Sequence, residues 1–258
     1  MKIGTMNHPA ADVIDQIRLH ADLGMEFLDL TFEPPAASSW RVDPEAIRRE
    51  LESNGMDVVG HTSFYLPMDS AFEEVRQGAV AELKRCLRAF SVVGAKWMNI
   101  HPGRYAPFHP REFFIRRNIE SLKELHEVSE EVGVGLMIEN LPGPYNTPEQ
   151  LEELLEPLPW LGLHLDVGHC NLEVPHNTTA AILDRWGDRL RHVHIHDNKG
   201  GHADLHLPLG AGTLDLPETV GAVKRSGYDG LITLEVFTED KHYLQYSAEV
   251  LRRVWAEV

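Results

Sequence analysis

The chain repeats one pattern eight times: a short apolar run, then a longer amphipathic stretch. The runs are Lys2–Met6, Glu26–Phe32, Asp57–Ser63, Lys96–His101, Val134–Asn140, Leu161–Val167, Leu190–His196 and Leu231–Phe237. Between them lie helical patterns with helix punctuation. Ala11–Gly24 stops at a glycine, and Asp43-Pro44-Glu45 opens the next helix with Pro at its start. Thr147-Pro148-Glu149 and Leu216-Pro217-Glu218 open two more, and Tyr243–Val258 closes the chain. Strict alternation of strand and helix calls for a parallel sheet with helical crossovers. Eight units of about 32 residues, from 258/8, predict a closed (β/α)8 barrel spanning residues 1–258 as one domain. An open doubly wound sheet usually carries a Gly-rich phosphate loop after its first strand; Met6-Asn7-His8-Pro9 stands there instead. The longest irregular stretch, Asn198–Leu214, follows the seventh run, and its length predicts a functional loop.

Polar residues occur inside these runs, where they are costly. Strand alternation turns Met137 and Glu139 toward the barrel axis, with Leu136 and Ile138 facing the helices. The same rule turns inward Trp97, Asn99 and His101; His164 and Asp166; His192, His194 and His196; and Thr233 and Glu235. The third run ends on His61. Six strand ends thus converge as His61, His101, Glu139, Asp166, His194 and Glu235, on the face where barrels of this kind place their active sites. Three carboxylates and three imidazoles aimed at one spot repel and desolvate one another unless something neutralises them. A divalent cation does so, and a mixture of His, Asp and Glu suits zinc, manganese or iron. His169, one turn past Asp166, and the Asp204-Leu205-His206 pair lie within reach of the same ions. Asn99, His164, His192 and Thr233, one layer deeper, read as groups that orient the ligands or as a plain polar core layer. The remaining histidines, including His8, His20, His126 and His202, are read as surface residues, and Cys170 as packing.

Composition narrows the partners. Lys plus Arg is 24 and Asp plus Glu is 40, a formal charge of −16, which argues against a broad grip on nucleic acid or anionic lipid. Two cysteines, Cys86 and Cys170, make no disulfide framework and fit a reducing compartment. No signal-peptide core and no membrane-spanning apolar run is visible, so a cytoplasmic location is expected.

At these residues the sequence resembles the xylose isomerase-like TIM-barrel superfamily, which includes sugar epimerases and isomerases, inosose dehydratases and endonuclease IV. The segments that carry the resemblance are Asn99–Gly103 (NIHPG), Met137–Gly143 (MIENLPG), Leu165–His169 (LDVGH), His194–Asn198 (HIHDN), Asp204–Gly212 (DLHLPLGAG) and Leu231–Phe237 (LITLEVF). The epimerase branch implies one metal held by Glu139, Asp166, His194 and Glu235. There the two glutamates also serve as acid and base, and His169 touches substrate. The endonuclease IV branch implies a three-metal site, to which His61, His101, His169, Asp204 and His206 would add ligands. The chain departs from that nuclease after the first run, where Met6-Asn7-His8-Pro9-Ala10 stands, and near Trp40, where the Asn and Arg of the DNA-entry element are missing.

The expected activity is a divalent-metal-dependent isomerase or epimerase of a sugar or sugar phosphate, with one to three ions, zinc or manganese foremost. Arg104, following His101-Pro102-Gly103, is a candidate to hold a phosphate or carboxylate of the substrate. The alternatives are a multi-metal phosphoester hydrolase, with a small phosphoester fitting better than nucleic acid, and a dehydratase of an inosose-like polyol. Members of the superfamily often assemble, which leaves a homo-oligomer open.

Overall fold

A computed structural model describes residues 1–103 and 108–258. Eight parallel strands close into a barrel in chain order. They are β1 (Lys2–Met6), β2 (Phe27–Phe32), β3 (Asp57–Thr62), β4 (Trp97–Ile100), β5 (Gly135–Glu139), β6 (Gly162–Asp166), β7 (Leu190–Ile195) and β8 (Leu231–Leu234). Each is followed by a helix: α1 (Val13–Asp22), α2 (Pro44–Ser53), α3 (Glu73–Val93), α4 (Arg111–Val132), α5 (Pro148–Leu155), α6 (Thr179–Trp186), α7 (Leu216–Arg225) and α8 (His242–Glu257). All eight expected strands are present, within a few residues at each end. The barrel closes where β8 pairs with β1, Ile232 opposite Ile3 and Leu234 opposite Thr5.

The helix starts are set by local chemistry. Asp43 caps α2 by accepting from the backbone N–H groups of Glu45 and Ala46, with Pro44 in the first turn. Thr147 and Gln150 form a reciprocal capping box at the start of α5. α3 and α4 end on Gly94 and Gly133, both with positive φ.

Two apolar layers flank the barrel wall. Outside, strand residues such as Leu28, Leu30, Leu136, Ile138 and Val193 pack on the helices; Phe90 of α3 stacks on Phe32 of β2 at 4.4 Å between ring centroids. That stacking depends on Gly60 of β3, whose Cβ would lie 2.9 Å from the Phe90 ring. Inside, Phe27, Val59 and Met137 fill the floor, with Trp97 and Leu231 packed against them. Above this plug the interior turns polar. Asp29, Asn99, His164, His192 and Thr233 are all nearly or fully buried and form a middle layer, and the strand-end residues sit above them. The apolar floor beneath the polar layers leaves the strand-end side chains gathered at the C-terminal rim. No helix among the described residues is long and apolar enough to cross a membrane.

Candidate metal centre and active site

The strand ends converge as the alternation rule requires. Glu139 is the hub of one side. Its Oε2 accepts from Asn99 Nδ2 at 2.5 Å and lies 3.0 Å from His101 Nε2, 3.4 Å from His164 Nδ1 and 3.7 Å from His61 Nε2. Its Oε1 is 3.4 Å from His169 Nδ1. On the other side His194 Nδ1 is 3.2 Å from Glu235 Oε2. His61, His101 and Glu139 lie close enough to share one cation, and so do Glu139, Asp166 and His194.

The turn after β6 brings in His169. Its backbone N–H donates to Asp166 Oδ1 at 3.0 Å, and its Nδ1 meets the Asn140 carbonyl at 2.9 Å. Asn140 and Asn146 hold this turn from outside. Asn140 accepts from the Asp166 N–H at 2.7 Å, and Asn146 Nδ2 donates to the His169 and Leu172 carbonyls, both at 2.8 Å. The Asn of the MIENLPG segment is therefore part of the frame that fixes Asp166 and His169.

The long loop after β7 supplies the rest. The Asp197 carboxylate accepts from the N–H groups of Asn198 (2.8 Å), Gly210 (2.9 Å), Gly212 (2.9 Å) and Leu214 (3.1 Å). A Cβ on Gly212 would lie 2.1 Å from the Asn198 carbonyl oxygen, so the chain needs glycine there. This anchoring folds Asp204 and His206 back over the rim. Asp204 Oδ2 is 3.2 Å from His169 Nε2 and 3.1 Å from His206 Nε2. His206 holds a left-handed backbone at φ 46, a conformation uncommon outside glycine but one that asparagine, aspartate and histidine adopt more readily than most. All nine proposed ligands thus gather at one rim, whereas Arg104 lies outside the described residues.

Two histidines differ from the sequence reading. His196, left out of the expected ligand set, is completely buried, with its Nε2 3.4 Å from both Asp166 Oδ1 and Asp204 Oδ1. With Asp166 and His169 it forms another group able to share a cation. His20, expected at the surface, is buried on the inner face of α1, beside Val13 and Ile17. Burial and the nearby Lys241 charge press its pKa down to about 4. Asp29 was not singled out at all, yet it is 1% exposed and touches His194 and His192. A carboxylate between two leucines of an apolar run was the signal.

The electrostatics follow from these contacts. Burial works to raise the carboxyls of Glu139 and Asp166. The imidazoles around them, His101 and His164 for the first, His169 and His196 for the second, hold both well below the usual carboxylate range. Burial opposes charge on His169, but Asp166, Asp204 and Glu139 lift it to about 10. His196 is lifted to about 9 against burial, chiefly by Asp166. His101 and His164 are pushed down, burial being the main cause.

Above the cluster opens a cavity of about 1270 Å³. Glu139, Glu235, His61, His101, His169, Asp204 and His206 line it, and Phe64, Tyr65 and Phe237 border it. Asp166 and His194 lie beneath that surface. Gly168 of the Asp166-Val167-Gly168-His169 turn has no room for a side chain, because its Cβ would lie 2.3 Å from His196 Nε2. Gly168→Ala is expected to destabilise the protein by about 1–3 kcal/mol through this overpacking. Thermal melting checks it, and an unchanged midpoint would mean the His196 ring can move aside.

The comparisons with known proteins agree with this architecture. The family model described as xylose isomerase-like TIM barrel matches residues 17–254, and the chain belongs to that family. An uncharacterised protein of Methanocaldococcus jannaschii is 30% identical over 190 residues, 70% of this chain and 64% of that protein. The match thus spans less than two thirds of that relative's length. Fructoselysine 3-epimerase of Escherichia coli O157:H7 is 26% identical over the whole chain and 99% of the relative. A probable endonuclease 4 of Aquifex aeolicus is 24% identical, covering 93% of this chain and 89% of that one. Among solved structures, a D-tagatose 3-epimerase-like protein superposes with a TM-score of 0.85 at 22% identity, over 100% of this chain and 98% of that one. The IolI protein, solved with a bound zinc atom, superposes at 0.78 and 17% identity, over 100% of this chain and 96% of that one. At these identities the structural likeness speaks for the fold.

Proposed function

We infer that the chain is a divalent-metal-dependent epimerase or isomerase of a small sugar, sugar phosphate or related polyol. The observation that carries this reading is the pair of carboxylates, Glu139 and Glu235, both lining one cavity above the buried Asp166 and His194. The sugar epimerases among the relatives support it.

The residues fit a divalent cation. Asp166 Oδ2, His61 Nε2 and His196 Nε2 are buried without a hydrogen-bond partner, and the donor set is nitrogen and carboxylate oxygen. Glu139, Asp166, His194 and Glu235 would hold the ion. When bound, it supplies Lewis-acid polarisation of a substrate carbonyl and a template for the neighbouring hydroxyl. The chain's own residues do the rest. Glu139 and Glu235 flank the cavity from β5 and from the end of β8, so one removes the proton beside the carbonyl and the other returns it on the opposite face. Glu139 is kept ionised by His101 and His164, so its carboxylate is free to accept that proton. His169 is held by Asn140 and Asp204 and orients a substrate oxygen. The exposed rings of Phe64, Tyr65 and Phe237 offer apolar faces at the mouth, suited to the C–H face of a sugar. The test is incubation with a panel of ketoses and ketose phosphates in D2O. Epimer formation with deuterium at one carbon, abolished by a chelator and restored by Mn²⁺ or Zn²⁺, is expected. No exchange across the panel speaks against the reading.

A second reading, phosphoester hydrolysis, is favoured by the additional ligand groups at the rim: His61 and His101 with Glu139, and His169 and His206 with Asp204. Ion count separates the two. One ion per chain, with His61→Ala and His206→Ala keeping most epimerase activity, is the expected outcome. Two or three ions, with both variants dead and depleted of metal by elemental analysis, would replace it with the hydrolase.

A further inference from the structure

The middle layer of the barrel holds a carboxylate that the proposed chemistry does not use. Asp29 lies in β2 between the floor residue Phe27 and Thr31, and it does not line the cavity. Its Oδ2 accepts from His194 Nε2 at 2.6 Å and from Thr233 Oγ1 at 2.8 Å, with His192 Nε2 at 3.2 Å. The effective cost of taking an ion this deep is several kcal/mol unless its partners are well placed. Neutral Asn99 and Thr233 occupy the same layer, so polarity alone does not call for an anion there.

The contact settles which way the His194 ring faces. An ionised carboxylate only accepts, so the 2.6 Å contact is a hydrogen bond donated by Nε2–H. The other nitrogen, Nδ1, then points up toward Glu235, and His194 can share an ion with Glu139 and Asp166. We propose that Asp29 is the positioning residue of the metal centre: it anchors His194 from beneath through Nε2–H and so presents Nδ1 to the cation. This rests on the metal-centred reading above. A histidine ligand whose far N–H is fixed by a carboxylate is a better donor, and loss of such a partner costs about 10–100-fold in metal affinity. A competing arrangement exists. His164, His192 and His194 are themselves close enough to share an ion, which would draw His194 Nε2 away from Asp29.

The experiment is Mn²⁺ titration of chelator-stripped protein by calorimetry, comparing the unmutated chain with Asp29→Asn. Folding of the variant is checked by circular dichroism. A 10–100-fold weaker Mn²⁺ affinity in a folded variant is expected; affinity within threefold of the unmutated chain overturns the proposal. A merely structural role would lower the melting temperature of the stripped protein and leave the affinity of the folded fraction alone. If Asp29→Asn does not fold, the Zn²⁺-loaded unmutated protein is read by long-range ¹H–¹⁵N correlation of its histidines. Zinc on Nδ1 of His194 with the proton kept on Nε2 is expected; zinc on Nε2 overturns the proposal. Failure of the unmutated chain to take up either ion sinks the metal-centred reading and this inference with it. Normal uptake with unchanged variant affinity sinks the role of Asp29 alone.

Discussion

Glu139→Gln is expected to lower turnover by at least about a thousandfold while the protein stays folded. General acid–base catalysis by a placed side chain is worth about 10²–10⁴. Glu139 sits near the upper end because it is also a ligand candidate. The replacement is isosteric, so Asn99 and His101 keep a neighbour of the same shape, but it removes the negative charge those groups surround. The amide cannot take a proton from carbon. Glu235→Gln is expected to match it in activity. The two should differ in metal retention, because Glu139 shares ligand groups with both His61/His101 and Asp166/His194. Deuterium exchange at the reacting carbon, measured beside metal content, separates loss of the base from loss of the ion. A Glu139→Gln protein that keeps a tenth of the turnover would place the base elsewhere.

Much of the site was legible in the chain because two rules reinforce each other. Period-two alternation says which residues face the axis, and parallel barrels gather the C-terminal strand ends on one rim. His61, His101, Glu139, Asp166, His194 and Glu235 follow from those rules alone. What escaped has particular causes. Asp29 stands in the middle of β2, so a reading that looks at strand ends passes over it, although Leu28-Asp29-Leu30 is an expensive place for a charge. His196 follows His194 on the same face and was turned inward with it, but only His194 of that run entered the ligand set; His196 lies just past the end of β7. His20 falls on the stripe of Val13 and Ile17, four and seven residues along one helix face, which was itself a burial signal. The geometry of the 198–214 loop was beyond periodicity, because it depends on Asp197 collecting four backbone N–H groups.

Cation binding is expected to release one to two protons per ion at pH 7.5, so that affinity falls about 10–100-fold for each pH unit lost below that. His194 lies between Asp29 and Glu235, and against the pull of burial these carboxylates raise its pKa well above the ordinary histidine value. His169, at about 10, is likewise charged at neutral pH, held by Asp166, Asp204 and Glu139. In the metal-free protein these imidazolium groups are what keep the buried carboxylates paired. An arriving cation takes over that pairing. It would use the Nδ1 lone pair of His194, and its charge would disfavour the proton on His169, so protons would leave on binding. The sign for stability runs the other way. Because the folded-state pKa values of His169 and His196 are raised, their contribution to the metal-free fold is complete below about 6.5, the ordinary value. It is lost as pH climbs toward about 9 and 10. The stripped protein should therefore melt progressively lower between pH 7 and 10, while the loaded protein holds its melting temperature across the same interval. Calorimetry in two buffers of different ionisation enthalpy counts the protons directly. Binding with no proton release would mean that neutral hydrogen bonds, not imidazolium–carboxylate pairs, hold the empty rim together.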